Sequence, residues 1–441
     1  MGSHIYNAWL AQLIVQGKAP GLAIVPQHTN VLFDLLLGGL FNAFGASAAQ
    51  RIAVALAVLI FTGGAVAFCR ALGRQPWTVL PLIVPLAYGW VFHMGFFNFY
   101  LSLGLCFWAL AAGWGLQPKG LAAAGALLAL AFVAHGLAVA WAAAALAWRW
   151  TMQRWPAYRW RLFVLALAAI AAIRVAMVAA VPTRWDTEQI GASTGAVQVW
   201  VYGQAFARVA VALGLLWLIL IAMQVRRDGV RAFFDSDLFQ VCALTAAGIL
   251  IVPNWAWLPG YAHALVFISQ RMSLALAVCL CALAAGAPAR RWQAYAAGVV
   301  AILFFGLLYP AERALNHLED AEDALVAGLP QGARVASAVE AADIRVIAVT
   351  HMIDRACIGR CFSYENYEPS SGQFRIRVVG PQNMVAPTDM EASRLQTGYY
   401  VVRPQDVPLY QVEADASGGL RVRSLQAGVR NGMTVWNGLA E

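Results

Sequence analysis

The chain has 441 residues, of which 61% are hydrophobic and only 12% are charged, and its mean hydropathy is +0.65. A soluble domain carries about 25% charged residues, so this composition excludes an ordinary soluble protein and predicts an α-helical polytopic membrane protein. The net charge of +8 is concentrated in short loops between apolar runs, which favours membrane orientation over nucleic-acid binding as its role.

The first stretch of the chain, His4–Asp34, is too polar to cross a bilayer. Its apolar residues recur at roughly helical spacing, which predicts an amphipathic helix on a membrane surface, followed by a loop. A second apolar run then carries a lone acid, Asp34. We therefore predict that residues 1–50 form an outer-face segment and that His4 and Asp34 are candidate catalytic residues.

Apolar runs of spanning length fill residues 51–310. The run 119–149 is long enough for one tilted helix or for two short ones. Lys/Arg-rich loops flank it on both sides, at Lys119 and at 149–161, and positive loops belong on the cytoplasmic side, so we expect it to cross twice and to turn at His135. About ten crossings result, at 51–70, 77–93, 98–115, 119–149 (two), 162–181, 205–225, 237–252, 266–286 and 293–310.

Loop charge also predicts the orientation of the chain. One set of loops holds 12 Lys/Arg, whereas the alternate set holds two, Lys18 and Arg184. The positive-inside rule then places both the first segment and the C-terminal region on the outer side of the membrane. A first segment that is already outside implies a preceding spanning helix, so we expect eleven crossings in a native protein that is longer at its N-terminus.

The composition changes at residue 311. Residues 311–441 hold 12 basic and 16 acidic residues, compared with 18 basic and 6 acidic before them. A predicted amphipathic helix at 312–326 is followed by segments that alternate like strands, which predicts an exported α+β domain of about 125 residues. These segments are 334–339, 344–349, 373–379, 399–403, 409–414 and 420–425.

Polar residues near the outer helix ends are the other candidates for a site. A charge at bilayer depth costs at least ~2.5 kcal/mol, so Arg271 either faces a polar cavity or extends to the interface. His93 and His135 flank two predicted outer turns. Asp186 and Arg184 share an outer loop that is either a solvated loop or an acceptor entry, and His263 ends a loop with the aromatic and Pro-Gly character of an interfacial lid or anchor.

Two of the seven cysteines, Cys357 and Cys361, lie in the predicted exported domain. A zinc site needs more ligands at suitable spacing, and a redox motif is normally one residue shorter. A structural disulfide is the favoured interpretation, because the predicted compartment is oxidising.

The layout of a polar outer segment with an amphipathic helix, a many-helix bundle and a C-terminal exported domain resembles the GT-C class of membrane glycosyltransferases. The start at Ser3-His4-Ile5-Tyr6 is similar to the beginning of that class's first outer loop, in which an Asp commonly stands just before such a His. Here no Asp precedes His4, and the resemblance then implies an N-terminally truncated chain, a loss of the activity, or reliance on another acid such as Asp34 or Asp186.

This resemblance implies transfer of a sugar from a polyprenyl-phosphate donor to a lipid, glycan or protein acceptor. A carboxylate or His would be the base, and Arg184, His263 or Arg271, with His93 and His135 nearby, would bind the lipid phosphate. The resemblance leaves a divalent cation open. A lipid or solute transporter and a non-catalytic assembly protein are the alternatives.

Overall fold

The computed structural model describes residues 1–74, 78–260, 264–342, 344–415 and 418–439. It is mostly helical, at 63%, with a smaller amount of sheet. Four of the described helices are long and apolar enough to cross a membrane, at Leu32–Ala71, Pro156–Ala180, Gln204–Asp228 and Arg291–Ala327. The structure therefore fits a helical membrane protein, as the composition predicts.

The helices, in chain order, are α1 Gly2–Val15, α2 Leu32–Ala71, α3 Leu80–Ala87, α4 Trp90–His93, α5 Phe97–Gly113, α6 Pro118–Ala134, α7 Gly136–Arg154, α8 Arg159–Ala180, α9 Glu188–Ala192, α10 Gln204–Asp228, α11 Val230–Phe234, α12 Asp237–Ile251, α13 Ile268–Ala284, α14 Arg291–Ala327, α15 Met352–Ala356, α16 Glu368–Ser371 and α17 Asp389–Gln396. The strands are β1 Leu22–Ile24, β2 Thr183–Arg184, β3 Trp255–Ala256, β4 Arg334–Ser337, β5 Val339–Ala341, β6 Phe362–Ser363, β7 Ile376–Val378, β8 Leu409–Ala414, β9 Leu420–Leu425 and β10 Thr434–Trp436.

The bundle is built around the close packing of α2 on α5. A Cβ atom added at Gly64 would lie 2.4 Å from the carbonyl oxygen of Gly104, and one at Gly104 would lie 2.7 Å from the Cα of Phe61. Small residues facing each other let two membrane helices approach at backbone distance. Larger side chains at either glycine would separate the two helices.

Helix α2 differs from the sequence-based prediction. The apolar run 31–44 and the predicted span 51–70 form one 40-residue helix, which is broken at Gly45, where φ is +76°. Only glycine adopts this backbone conformation readily, so the break needs no disruption of the flanking helical turns. Asp34 lies in the first turn of α2, and this helix continues past the break at Gly45 into the bundle.

The predicted double passage of 119–149 has the expected local structure. Helices α6 and α7 are separated by His135 in an extended conformation, and its ring accepts a hydrogen bond from the Leu137 amide. Five further apolar helical segments are only 10–17 residues long, and one of them, Leu80–His93, is interrupted at Gly89 between α3 and α4. Length and composition of the described helices alone therefore support four crossings rather than about ten.

The C-terminal region contains a four-stranded sheet in the order β6-β4-β8-β9. Strands β6, β4 and β8 are parallel, and β9 pairs antiparallel with β8. Both β8 and β9 occupy the residues predicted for them. The predicted strand at 344–349 is wrong: this segment lies against the outer loops of the bundle, where the Arg345 amide donates to the Val201 carbonyl.

The predicted outer-face segment is built into the C-terminal domain. Strand β1 pairs antiparallel with β7, and Tyr6 and Leu10 of α1 pack in the same core as Cys357. Ile5, on the opposite face of α1, packs in the core of the bundle. Helix α14 also crosses the predicted boundary at 310/311 without interruption. Helix α1 is therefore held between the membrane helices and the C-terminal domain.

Candidate functional site

Two of the predicted catalytic residues, His4 of α1 and Asp34 of α2, form a pair. The Nδ1 of His4 lies 2.7 Å from Oδ1 of Asp34, and its Nε2 lies 3.0 Å from the carbonyl oxygen of Gly95. Both ring nitrogens thus face acceptors. With Asp34 ionised, both contacts require a proton on each nitrogen, so the contacts favour an imidazolium paired with a carboxylate.

The second oxygen of Asp34 is also fixed. The side-chain amide of Asn98, in the first turn of α5, donates to Oδ2 of Asp34 at 2.7 Å. The orientation of that amide is set because its oxygen accepts from the Phe33 backbone N–H at 2.8 Å. The carboxylate also lies at the N-terminal end of α2, where the helix dipole stabilises negative charge.

The pair is partly accessible to solvent. The exposed fraction is 19% for the His4 side chain and 32% for that of Asp34. Burial lowers the pKa of His4, but the charge and hydrogen bond of Asp34, together with the charge of Glu368, outweigh it and raise the pKa above its ordinary value. The Asp34 carboxylate is therefore both partly exposed and hydrogen-bonded to His4.

Arg271 and His135 form a second group beside this pair. The Arg271 guanidinium lies 4.0 Å from the ring centroid of Phe96, and its Nη1 is 3.4 Å from Nε2 of His135. Phe96 directly precedes Phe97, whose ring contacts that of His4. The loop between α4 and α5 therefore joins the two groups.

Among the described residues, Arg271 has no carboxylate as a counter-ion. Nδ1 of His135 accepts a hydrogen bond from the Leu137 amide, so a neutral His135 carries its proton on Nε2. A protonated Nε2 cannot accept a hydrogen bond from Arg271. Within the described parts of the chain, Nε of Arg271 has no hydrogen-bond partner and no carboxylate lies within ion-pair distance of the guanidinium. An uncompensated buried guanidinium suits an anionic ligand such as phosphate.

The C-terminal domain contributes the remaining polar groups, Tyr367 and Glu368. Glu368 accepts hydrogen bonds from Ser3 and Asn7 of α1, both at 2.6 Å. Burial raises the pKa of Glu368, and burial together with the Glu368 charge raises that of Tyr367, with Arg271 acting in the opposite direction. Glu368 therefore lies within electrostatic range of the His4–Asp34 pair, and Tyr367 lies within electrostatic range of Arg271.

The other predicted residues lie apart from this site. His93 contacts Glu312 at 3.3 Å and the hydroxyl of Tyr202, and that hydroxyl also donates to Glu312. Asp186 accepts from Asn254 at 2.7 Å. Arg184 is exposed on β2. His263 lies outside the described residues.

The predicted disulfide between Cys357 and Cys361 is confirmed. Both cysteines are buried in the core that includes residues of α1, and the bridge precedes the segment that leads to Glu368 in the sequence. In the ranges that the structure describes, no group of three or more His, Cys, Asp and Glu side chains is arranged to hold a metal ion.

Sequence patterns located some of this site and missed the rest. His4, Asp34, His135 and Arg271 were predicted separately, and their pairing depends on how α1 and the bundle meet. Glu368 and Tyr367 were not predicted as site residues, although their segment is dense in aromatic and carboxylate side chains.

Comparisons with known proteins found no relative. No family model, no curated protein and no solved structure matches this chain.

Proposed function

We propose that this chain is a membrane glycosyltransferase that moves a hexose or pentose from a polyprenyl-phosphate donor to a lipid, glycan or protein acceptor. The pairing of His4 with Asp34, beside an Arg271 that has no counter-ion in the described ranges of the chain, carries this proposal. The two groups match the two needs of an inverting transfer, a base for the acceptor hydroxyl and a cation for the departing phosphate.

In this reaction Asp34 takes the proton of the acceptor hydroxyl as its oxygen attacks the anomeric carbon. The bond from that carbon to the lipid phosphate breaks, and the phosphate leaves with the electron pair. Hydrogen bonds from His4 and Asn98 orient the carboxylate so that its free lone pairs face the acceptor. Arg271 stabilises the negative charge that grows on the phosphate oxygens.

The proposal includes the arrangement of the chain in the inner membrane of a bacterium. Ten apolar helices or helix pairs are available for crossing, namely α2, α3–α4, α5, α6, α7, α8, α10, α12, α13 and α14. Loop charge orients them with the His4–Asp34 pair and the C-terminal domain on the outer face. A lipid-linked donor would then reach Arg271 from the bilayer, and the acceptor would approach from outside.

The test is transfer of radiolabelled sugar by the purified full-length chain in lipid nanodiscs, with polyprenyl-phosphate hexoses and pentoses as donors. Wild type should transfer with at least one donor. Arg271→Gln should lower the rate about 10²-fold, the typical effect of removing one preorganised charge donor. Arg174→Gln is the matched control, because Arg174 is another arginine of a membrane helix and contacts only the Ile251 carbonyl among the hydrogen bonds described.

Two results would refute the proposal. One is the absence of transfer by the wild type from every donor, which would favour a transporter or an assembly protein. The other is equal activity of Arg271→Gln and Arg174→Gln, which would show that the guanidinium of Arg271 does not act on the phosphate.

A further inference from the structure

One link between the N-terminal helix and the C-terminal domain is the carboxylate of Glu368. Its Oε1 accepts from the Ser3 hydroxyl and its Oε2 from the Asn7 side-chain amide, each at 2.6 Å. Ser3 and Asn7 are four residues apart and therefore lie on the same face of α1. His4 lies between them in the sequence, so the contacts at Glu368 contribute to setting the rotation of the helix that carries His4.

The orientation of Asn7 is itself determined. Its oxygen accepts from the side-chain amide of Asn366 at 2.8 Å, so its NH₂ group must face Glu368. Asn366 is buried, and its own oxygen accepts from the Glu368 backbone N–H. Asn366 and Glu368 thus contact α1 through a connected set of hydrogen bonds, in which the Asn7 amide also donates to the Ser3 hydroxyl at 3.3 Å.

The contacts of His4 show why this rotation matters. Its two ring nitrogens reach Asp34 on α2 and Gly95 before α5 at 2.7 and 3.0 Å. A small rotation of α1 would move both distances out of hydrogen-bond range, and misplacement of a reacting group by about 1 Å costs on the order of 10²-fold in rate. The hydrogen-bond partners of His4 belong to the bundle, whereas the contacts that orient its helix include those from the C-terminal domain.

We propose that Glu368 is a positioning residue for the His4–Asp34 pair, acting through Ser3 and Asn7 of the N-terminal helix, so that the C-terminal domain completes the site. This inference rests on the proposed glycosyl transfer. The role requires a hydrogen-bonding group at each of the two oxygen positions rather than a negative charge. A glutamine at 368 can accept from Asn7 with its oxygen and donate to the Ser3 hydroxyl, whereas an alanine can do neither.

The first experiment compares Glu368→Ala with Glu368→Gln in the transfer assay, with the exposed Glu340→Ala of the same domain as control. Glu368→Ala should lower kcat about 10- to 100-fold and leave KM for the donor within about twofold, because Arg271 is untouched. Glu368→Gln should stay within about threefold of wild type. Unchanged kcat in Glu368→Ala, or equal losses in the two variants, would overturn the positioning role.

The second experiment approaches the same contact from α1. Ser3→Ala/Asn7→Ala should reproduce the loss in Glu368→Ala, and combining all three substitutions should add less than about twofold, since they remove one interaction. Additive losses would show that Glu368 acts by another route.

A readout without activity separates this inference from the proposed function. Modification of His4 by diethyl pyrocarbonate, followed by mass spectrometry of the full-length chain, should be several-fold faster in Glu368→Ala than in wild type and in Glu368→Gln. Equal rates in all three would refute the inference even where transfer is observed. Faster modification in a chain that transfers no sugar would retain the positioning role and refute the glycosyltransferase.

Discussion

Replacing Asp34 by asparagine tests the proposed base while preserving the geometry around it. In Asp34→Asn, the new amide oxygen can accept from Asn98 and the new NH₂ can donate to Nδ1 of a neutral His4. The Nε2–H of His4 then still donates to Gly95. Every hydrogen bond of the pair therefore keeps a donor and an acceptor, and only the charge and the proton-accepting oxygen are lost.

Asp34→Asn should change the free energy of unfolding much less than it changes the free-energy barrier to transfer. Exchanging one satisfied set of hydrogen bonds for another should change the free energy of unfolding by about 1 kcal/mol or less near pH 8. Removing a general base should lower the transfer rate about 10²- to 10⁴-fold, equivalent to roughly 3–5 kcal/mol in the barrier. A folded, stable and inactive variant is the expected outcome.

The pH dependence of stability should have opposite signs in the wild type and in Asp34→Asn. In the wild type the pKa of His4 is raised, so its stabilisation is fully present below its ordinary pKa of 6.5 and is lost as pH rises through the folded pKa. In Asp34→Asn the imidazole must stay neutral, so stability should fall as pH drops below 6.5. Thermal unfolding followed by intrinsic fluorescence in nanodiscs between pH 5 and 9 measures both curves.

Asp186→Asn is the matched comparison, because Asp186 also accepts a hydrogen bond from an asparagine, Asn254, on the predicted outer side. Transfer within about threefold of wild type in Asp34→Asn would refute Asp34 as the base. A large loss in Asp186→Asn alone would move that role to the second predicted acid.

Two further predictions concern the C-terminal domain. Burial raises the pKa of Glu365 well above its ordinary 4.5, and one of its oxygens lacks a hydrogen-bond partner among the described residues, so its charge costs stability as pH rises. Glu365→Gln should therefore raise the unfolding temperature at pH 8 and change it little at pH 4.5; a lower value at pH 8 would contradict this. Cys357→Ser/Cys361→Ser should lower the free energy of unfolding by about 2 kcal/mol, the chain-entropy effect of a short loop, and an unchanged unfolding temperature would show that packing alone holds the loop.

The sequence predicted local structure well where the pattern was long and periodic. The helices on either side of His135, the helix at 312–326 and strands β8 and β9 were expected at their observed places. In each case the periodicity of apolar residues or the loop charge carried the information, because both are properties of a continuous segment.

Contacts between distant segments were not predictable in this way. The pairing of β1 with β7 joins residues about 350 positions apart, and β1 is too short to show a strand pattern. The two hydrogen bonds at Glu368 likewise depend on where α1 packs. Hydropathy marked α1 as amphipathic and suggested a membrane surface as its apolar partner, but its faces meet protein on two sides.

The pairing of His4 with Asp34 also has a consequence for turnover. When Asp34 takes the proton of an acceptor, the imidazolium of His4 loses its counter-charge while it remains half-buried, which is unfavourable. A protonated Asp34 beside a cationic His4 is therefore unstable, and the pair must release one proton before the next cycle. In the proposed reaction the departing phosphate at Arg271 is an acceptor for that proton, because its second ionisation lies near neutral pH, as for other phosphate monoesters. A proton passed from the pair to that phosphate would restore the carboxylate and weaken the hold of Arg271 on the product, so the proximity of the two groups would couple regeneration of the base to release of the lipid.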